Sequence, residues 1–268
     1  MVSRRLQSES GRHDFLTNVS EKVKSGEVSQ EEMTAHASTL GFQLHEHIQA
    51  DNGRSIAGGE TVATFLAAVT FFLLKNPATY LKLQHEIRSN YSSLNEITAM
   101  SAQQLPYLQA VISEGLRMYP PGSQGFPRTC PGSTIDGHWV PKGVSFIQSN
   151  LLPASLTSYN QKTEVYTSAW TVTHDEHNFH RPYDFLPERW IGTNRVDNLE
   201  ASQPFSLGPR GCLGKNFAFV EINLILAKMH YAYNLHLINE DLDWLKQSHM
   251  HVMWWKPSLN IRFERVTR

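Results

Sequence analysis

Between residues 57 and 74, apolar side chains fall on nearly every face of the helix that their spacing predicts. A helix with no polar face has to be enclosed, so this segment is expected to be central and buried. It is not expected to span a membrane, because the apolar-rich run 61–74 is shorter than the ~20 residues a bilayer requires. The rest of the composition agrees with a soluble globular protein. Apolar residues make up 40% of the 268 and aromatic residues 10%, enough for a core and too much for wholesale disorder. At about 150 residues per domain, that length gives one large domain or two small ones. Lys and Arg number 24 against 25 Asp and Glu, a net charge of −1, so the chain lacks the basic excess of a nucleic-acid binder. Its two cysteines, Cys130 and Cys212, are too few for a disulfide framework and fit a reduced compartment. The N-terminal stretch MVSRRLQSESGRHDF has no apolar core, so no signal peptide is expected.

Local signals divide the remainder. Ser29 followed by Glu32 is a capping-box signature that opens a helix through about Leu40. Residues 41–55 break it with polar side chains and an Asp51-Asn52-Gly53 turn. Asn76-Pro77 ends the apolar helix and starts the next, with Asn76 as N-cap and Pro77 at the first helical position. That helix is predicted to reach Asn90, and another is predicted over about 105–119, stopped by Pro120-Pro121. Beyond it, Gly and Pro punctuate short pieces at 128–129, 133–135, 138–140 and 143–146 that read as strands and hairpins. Residues 182–190 read as ordered coil, 205–214 as a glycine-rich loop, and about 213–233 as a long helix. The tail, 244–263, reads as strands with a turn at Lys256-Pro257-Ser258. The predicted fold class is mainly α with a minor β component.

The residues that bear chemistry gather in the loop Phe205-Ser-Leu-Gly-Pro-Arg-Gly-Cys-Leu-Gly214. A lone cysteine is ordinarily a small buried hydrophobe, but Gly208, Gly211 and Gly214 surround Cys212, so a flat, bulky group can approach the backbone. A helix begins just after it, and the dipole at its N-terminus favours a thiolate. Arg210 is placed to pair with an anionic group beside the sulfur. A thiolate presented under backbone N–H groups is what a haem iron with a cysteine ligand requires. Elsewhere, Glu114 and Arg117 are spaced for a helical ion pair, worth little if exposed. Glu60-Thr61 puts an acid beside a hydroxyl in an otherwise apolar helix, directly after Gly58-Gly59. The histidines His174, His177 and His180 lack the i, i+4 spacing of zinc peptidases, and neither they nor His249 and His251 are read as metal ligands.

The pattern Phe-x-x-Gly-x-Arg-x-Cys-x-Gly at 205–214 resembles, at every fixed residue, the haem-ligand loop of cytochrome P450 monooxygenases. Three further motifs stand in the family's order. Ala57-Gly58-Gly59-Glu60-Thr61 is similar to its oxygen-activation segment and Glu114-Gly-Leu-Arg117 to its Glu-x-x-Arg pair. Pro187-Glu-Arg189-Trp190 is similar to its Pro-Glu-Arg-Phe element, with Trp for the usual Phe. The resemblance implies the C-terminal part of the family's fold: a central long helix, the Glu-x-x-Arg helix, the cysteine-ligand loop and small β-sheets. It implies Cys212 as the axial ligand of haem iron, with Phe205 and Gly214 also in the cofactor-binding set and Arg210 and Arg128 facing the propionates. It implies a buried network of Glu114, Arg117 and Arg189 behind the haem. Thr61 would hold hydrogen bonds to dioxygen and Glu60 relay protons, while Cys130 matches no ligand position and reads as structural.

The expected function is therefore a haem-thiolate monooxygenase that hydroxylates or epoxidises a small organic substrate, of the kind fungal members decorate in secondary metabolism, with dioxygen. No G-x-G-x-x-G fingerprint occurs, so electrons are expected from a partner, and the resemblance implies NADPH-cytochrome P450 reductase, an NADPH-dependent flavoprotein. The alternative is a truncated, catalytically inactive fragment, because the resemblance covers one partial domain, 1–268. The family's N-terminal half and membrane anchor are expected to be absent. Full-length relatives are expected at the endoplasmic reticulum membrane and this chain in the cytoplasm. Residues 41–55 and 145–164 look like insertions of retained-intron size: without the first, Leu40 joins Ile56 in one helix, and without the second, Val144 joins Val165 in one strand.

Overall fold

The structure, a computed structural model, describes residues 56–142, 164–193, 196–250 and 253–267. The helix expected at 29–40, the segment 41–55, the strand expected at 143–146 and all of 145–164 but Glu164 lie outside the described residues. The chain forms two compact units, Met1–Thr61 and Val62–Arg268.

The apolar segment is α1 (Ile56–Lys75), a helix of 20 residues. Its Phe65, Ala68, Val69 and Leu73 are fully enclosed, and burying each large apolar side chain is worth about 1.5–3 kcal/mol. Its window Gly58–Lys75, mean hydropathy 1.3, is longer than the run 61–74 and is long and apolar enough to cross a membrane by length and composition alone, a test that core helices also pass. Half of that window is buried inside the fold, as in the core helix of a globular protein. α1 ends where Asn76 turns its amide back, Nδ2 donating to the Phe72 carbonyl at 2.8 Å. Asn76 thus occupies the N-cap position of α2 (Pro77–Asn90) without the side-chain cap its residue type predicts, because that side chain satisfies the preceding helix instead.

α2 buries Thr79, Leu83, Gln84 and Ile87. Next come the short α3 (Ala99–Ala102), held by a Thr98–Ser101 capping box, and α4 (Pro106–Met118). α4 meets α1 at Gly115, where an added Cβ would lie 2.9 Å from both Phe65 and Val69. The helices can approach this closely only because the residue has no side chain.

Among the described residues, four two-stranded antiparallel sheets supply the β component. β1 (Arg128–Thr129) pairs with β4 (Glu164–Val165), and β2 (Ser133–Ile135) with β3 (His138–Val140). The β2–β3 hairpin turns on Asp136 and Gly137, both at positive φ, as a type I′ turn demands. β5 (Tyr233–Leu237) pairs with β8 (Ile261–Arg265), and β6 (His249–Met250) with β7 (Trp254–Trp255).

Three boundaries differ from expectation. The strand expected to join Val144 to Val165 ends at Val165, because Ser168 accepts from the Thr171 N–H and opens α5 (Ala169–Thr173). The long helix α6 (Lys215–Ala232) ends before Tyr233, whose segment is taken by pairing with β8. The strand expected from residue 244 begins as a short helix, α7 (Trp244–Gln247), since Asp243 caps the Lys246 N–H. The Trp244 ring is thereby enclosed between Phe71 and Tyr119, at 5.5 and 5.8 Å between centroids.

Candidate functional site

Glu114 and Arg117 project from the last turns of α4, and both side chains are fully buried. They form a bidentate pair, Arg117 Nε to Oε2 and Nη2 to Oε1, each at 2.8 Å. The remaining Arg117 donors tie down the coil that follows α5: Nη1 reaches the Thr173 and Pro182 carbonyls at 2.8 Å, and Nη2 the Asp184 carbonyl at 3.2 Å. Glu114 also accepts from Arg189 Nε at 3.1 Å and from the Leu186 N–H at 2.9 Å. Trp190, which stands where the related motif has Phe, donates its indole N–H to Glu114 Oε2 at 2.8 Å. The replacement thus adds a donor to the buried carboxylate. Both guanidinium groups lie over the enclosed Phe179 ring, at 5.1 and 5.8 Å.

One member of this cluster escaped sequence reading. Glu114 alone against Arg117 and Arg189 leaves a buried positive charge without a counter-charge, a costly arrangement. Asp197 supplies it: Oδ2 accepts from Arg189 Nη1 at 2.6 Å, and Oδ1 from the backbone N–H of His180 at 2.7 Å, with His180 Nδ1 also at 2.7 Å. Burial would raise the Asp197 pKa, but the His180 and Arg189 contacts outweigh it and hold the carboxyl below its ordinary value. The signal available in the sequence was the charge imbalance of the three recognised residues. Beside the cluster, His174 stacks on Trp170 at 3.6 Å and is pushed down to about 4, chiefly by burial. Each of the three spaced histidines keeps its own neighbour, His174 with Trp170, His177 with Asp175 and His180 with Asp197. No group of three or more His, Cys, Asp or Glu that could hold a metal ion occurs among the described residues.

The cysteine loop is built differently. Phe205 is anchored against Phe219 of α6, 5.2 Å between centroids. The chain then turns through Ser206 and Gly208, both at positive φ, into a 3-10 turn at Gly208–Arg210. Gly211 closes that turn, its N–H on the Gly208 carbonyl at 2.9 Å, where an added Cβ would sit 3.2 Å from the same oxygen. The Cys212 N–H returns to the Phe205 carbonyl at 2.8 Å. Cys212 itself is exposed, whereas Cys130 is buried, and both are free thiols. Gly214 stands at the N-cap of α6, and a Cβ there would lie 3.9 Å from Cys212 Sγ, an ordinary contact.

Phe205, Arg210, Cys212 and Gly214 are thus brought together in one loop, with Arg210 exposed on it. Arg128 is not joined to them: among the described residues its guanidinium donates only to the neighbouring Phe126 and Pro127 carbonyls, at 3.4 and 3.0 Å. Glu60 and Thr61 are half-buried at the end of the first unit, where Thr61 Oγ1 donates to the Gly58 carbonyl at 3.5 Å.

The matching family model is cytochrome P450, over residues 6–151 and 158–263. The chain belongs to the cytochrome P450 family. That is a family of oxidoreductases, and the helix-dominated architecture with small antiparallel sheets is a partial P450 fold. A cytochrome P450 monooxygenase of Penicillium roqueforti (strain FM164) is 52% identical over 265 residues, 99% of this chain and 46% of the relative. One of Botryotinia fuckeliana is 44% identical over 264 residues, 98% and 44%. A trichothecene C-15 hydroxylase of Fusarium sporotrichioides is 35% identical over 265 residues, 97% and 48%. The chain therefore spans about half the length of the relatives it matches.

Haem is the family's cofactor, and the loop's residues fit it. The donor is a single exposed thiol at the head of an 18-residue helix, the soft, anionic ligand type that haem-thiolate iron takes. Around it Leu207, Leu213 and Phe217 are exposed apolar side chains, a surface suited to a flat, greasy macrocycle. No Cβ obstructs the loop at Gly208, where an added one would meet nothing within 4 Å.

Proposed function

We propose that this chain carries the thiolate side of a haem monooxygenase, with Cys212 as the iron ligand. The observation that carries the reading is the Cys212 thiol, exposed on a loop whose closure uses its backbone N–H and leaves the sulfur available. Haem, when bound, would supply dioxygen cleavage, one atom entering an organic substrate and the other leaving as water. The chain's own residues do the rest. Arg210 would pair with a propionate at the loop's outer face, and Arg128 would take the second only after exchanging its local carbonyls. Thr61 would hold a hydrogen bond and Glu60 pass a proton where the substrate is oxidised. Electrons would come from NADPH through a flavoprotein reductase at the endoplasmic reticulum, and the substrate would be a fungal secondary metabolite, by analogy with the family.

The test is a carbon-monoxide difference spectrum of the reduced chain supplied with haem. A thiolate-type band is expected, lost in Cys212→Ala and kept in Cys130→Ala; a band that survives Cys212→Ala refutes the assignment. In a full-length, turning-over form, Thr61→Ala is expected to let NADPH consumption continue while peroxide replaces oxygenated product. Full coupling would leave Thr61 a packed helix residue.

A second reading, a catalytically inactive fragment, is favoured by one observation: the apolar side chains around Cys212 are exposed in a chain half the length of its relatives. Turnover of substrate by the 268-residue chain with a reductase would remove it. We also read 41–55 and 145–164 as insertions in one partial P450 domain. The family match passes over 152–157, within the second segment, and runs through the first, so the second carries that reading. A transcript lacking its codons is the expected finding, and an uninterrupted exon across them would overturn it.

A further inference from the structure

We infer that Asp197 is a positioning residue for Cys212, acting through Arg189 and through the stretch of chain that links it to the cysteine loop. The inference deepens the haem-thiolate reading and rests on it for one of its two readouts.

Charge comes first. The side chain of Arg189 is 1% exposed and that of Asp197 3%, so the pair is shielded from water. With Glu114 already shared between two guanidinium groups, Asp197 is the second negative charge of a four-residue cluster whose formal sum is zero. Removing one partner of such a cluster is far costlier than removing an exposed pair. The comparison is available within the chain: Asp175 makes the same two contacts to His177, backbone N–H and Nδ1 both at 2.8 Å, but in solvent.

The path comes second. Immediately after Asp197, the Asn198 N–H bonds the Asn178 carbonyl at 2.8 Å, and its side-chain amide reaches Asn178 Oδ1 at 3.3 Å. A 3-10 turn follows at Leu199–Ala201, and the Ser206 N–H closes on the Gln203 carbonyl at 3.0 Å. Phe205 then accepts the Cys212 N–H. The cysteine loop thus lies in the chain between α6, which follows it, and the stretch that begins at Asp197, itself fixed on Arg189 and His180. That upstream anchor is the one set by a charge pair, and Asp197→Asn removes that charge with almost no change of shape.

The experiment is residue-resolved hydrogen exchange on the 268-residue chain, unaltered and as Asp197→Asn and Asp175→Asn. In Asp197→Asn the Asn198 and Cys212 amides are expected to exchange about tenfold faster, the factor that ~1.4 kcal/mol of local stability gives. The amides of α4 and α6 keep their rates, and Asp175→Asn leaves Cys212 unchanged. With haem supplied, Asp197→Asn is expected to shift part of the carbon-monoxide band from thiolate type to neutral-ligand type. A Cys212 amide unaffected by Asp197→Asn overturns the inference. So does uniform acceleration throughout α4 and α6, which would make Asp197 a general stabiliser. An unaltered chain that never gives the thiolate-type band refutes the haem reading instead, and the exchange arm still decides the role of Asp197.

Discussion

The Glu114 cluster and the Cys212 loop lie in one compact unit and stand at opposite extremes of exposure. In the cluster every charged side chain is enclosed, and each guanidinium is bonded to a carboxylate and to backbone carbonyls. In the loop the thiol and its apolar neighbours Leu207, Leu213 and Phe217 face outward. Enclosure on one side gives a rigid frame, because a paired buried charge has no cheap alternative position. Exposure on the other leaves surface that only another group or another part of a longer fold can cover. The difference divides labour: α4 and the coil after α5 hold geometry, and the loop at the head of α6 displays chemistry.

The largest break in that comparison is Glu114→Ala. It removes the acceptor for Arg117, Arg189, the Trp190 indole and the Leu186 N–H together, leaving two buried guanidinium groups against Asp197 alone. Breaking a buried pair from one side costs about 3–5 kcal/mol, a large part of a total stability of about 5–15 kcal/mol. Urea unfolding should show loss of the cooperative transition or a midpoint shift of that size. A change under ~1 kcal/mol would mean the cluster is not the frame described here.

Acid sharpens the same contrast. His230 is enclosed at the end of α6, with no hydrogen-bond partner for either ring nitrogen among the described residues, and burial and then Arg88 push it down to about 3. His174, beside Arg117, is pushed down to about 4. Both are neutral in the fold and take up a proton near pH 6.5 when unfolded, so the unfolded chain binds more protons below that pH. Their contribution is fully present above about pH 6.5 and is lost as pH falls toward the folded values, by about 1.4 kcal/mol per pH unit for each histidine. Urea midpoints measured from pH 7 to 5 should fall accordingly, and His230→Phe, which keeps the ring against Tyr80, should flatten the slope by about half. An unchanged slope in that variant would remove His230 from the account.

What the sequence made legible follows the range of the physics. Pro77 and Asn90, or Ser133 and His138, are set by turn and cap residues within a few positions, and there the expected bounds and the observed ones coincide. Tyr233 is decided by Arg265, its partner across the β5–β8 ladder, and no local pattern marks that. Asp197 has the same character. It sits beyond Arg189 on an irregular stretch, and only the fold turns it back onto the guanidinium. At the site, Cys212 and its glycines were legible because loop closure is local. Arg128 was expected to face the same ligand, and its Nη1 donates to the neighbouring Phe126 and Pro127 carbonyls.

The smallest expected effect on stability falls on the residue with the largest expected effect on chemistry. Cys212→Ala keeps the backbone N–H that closes the loop on Phe205, and it removes an exposed side chain. Surface substitutions of this kind change stability by about 0.5 kcal/mol or less. Urea unfolding without haem should therefore superimpose on that of the unaltered chain, while the thiolate-type carbon-monoxide band disappears. The converse holds for Cys130, which is enclosed near the Val140 carbonyl: Cys130→Ala should lower stability and leave the band. If Cys212→Ala instead destabilised the chain by more than ~1.5 kcal/mol, beyond anything an exposed side chain supplies, its thiol would belong to the frame. The separation of frame from chemistry would then fail at the residue that defines it.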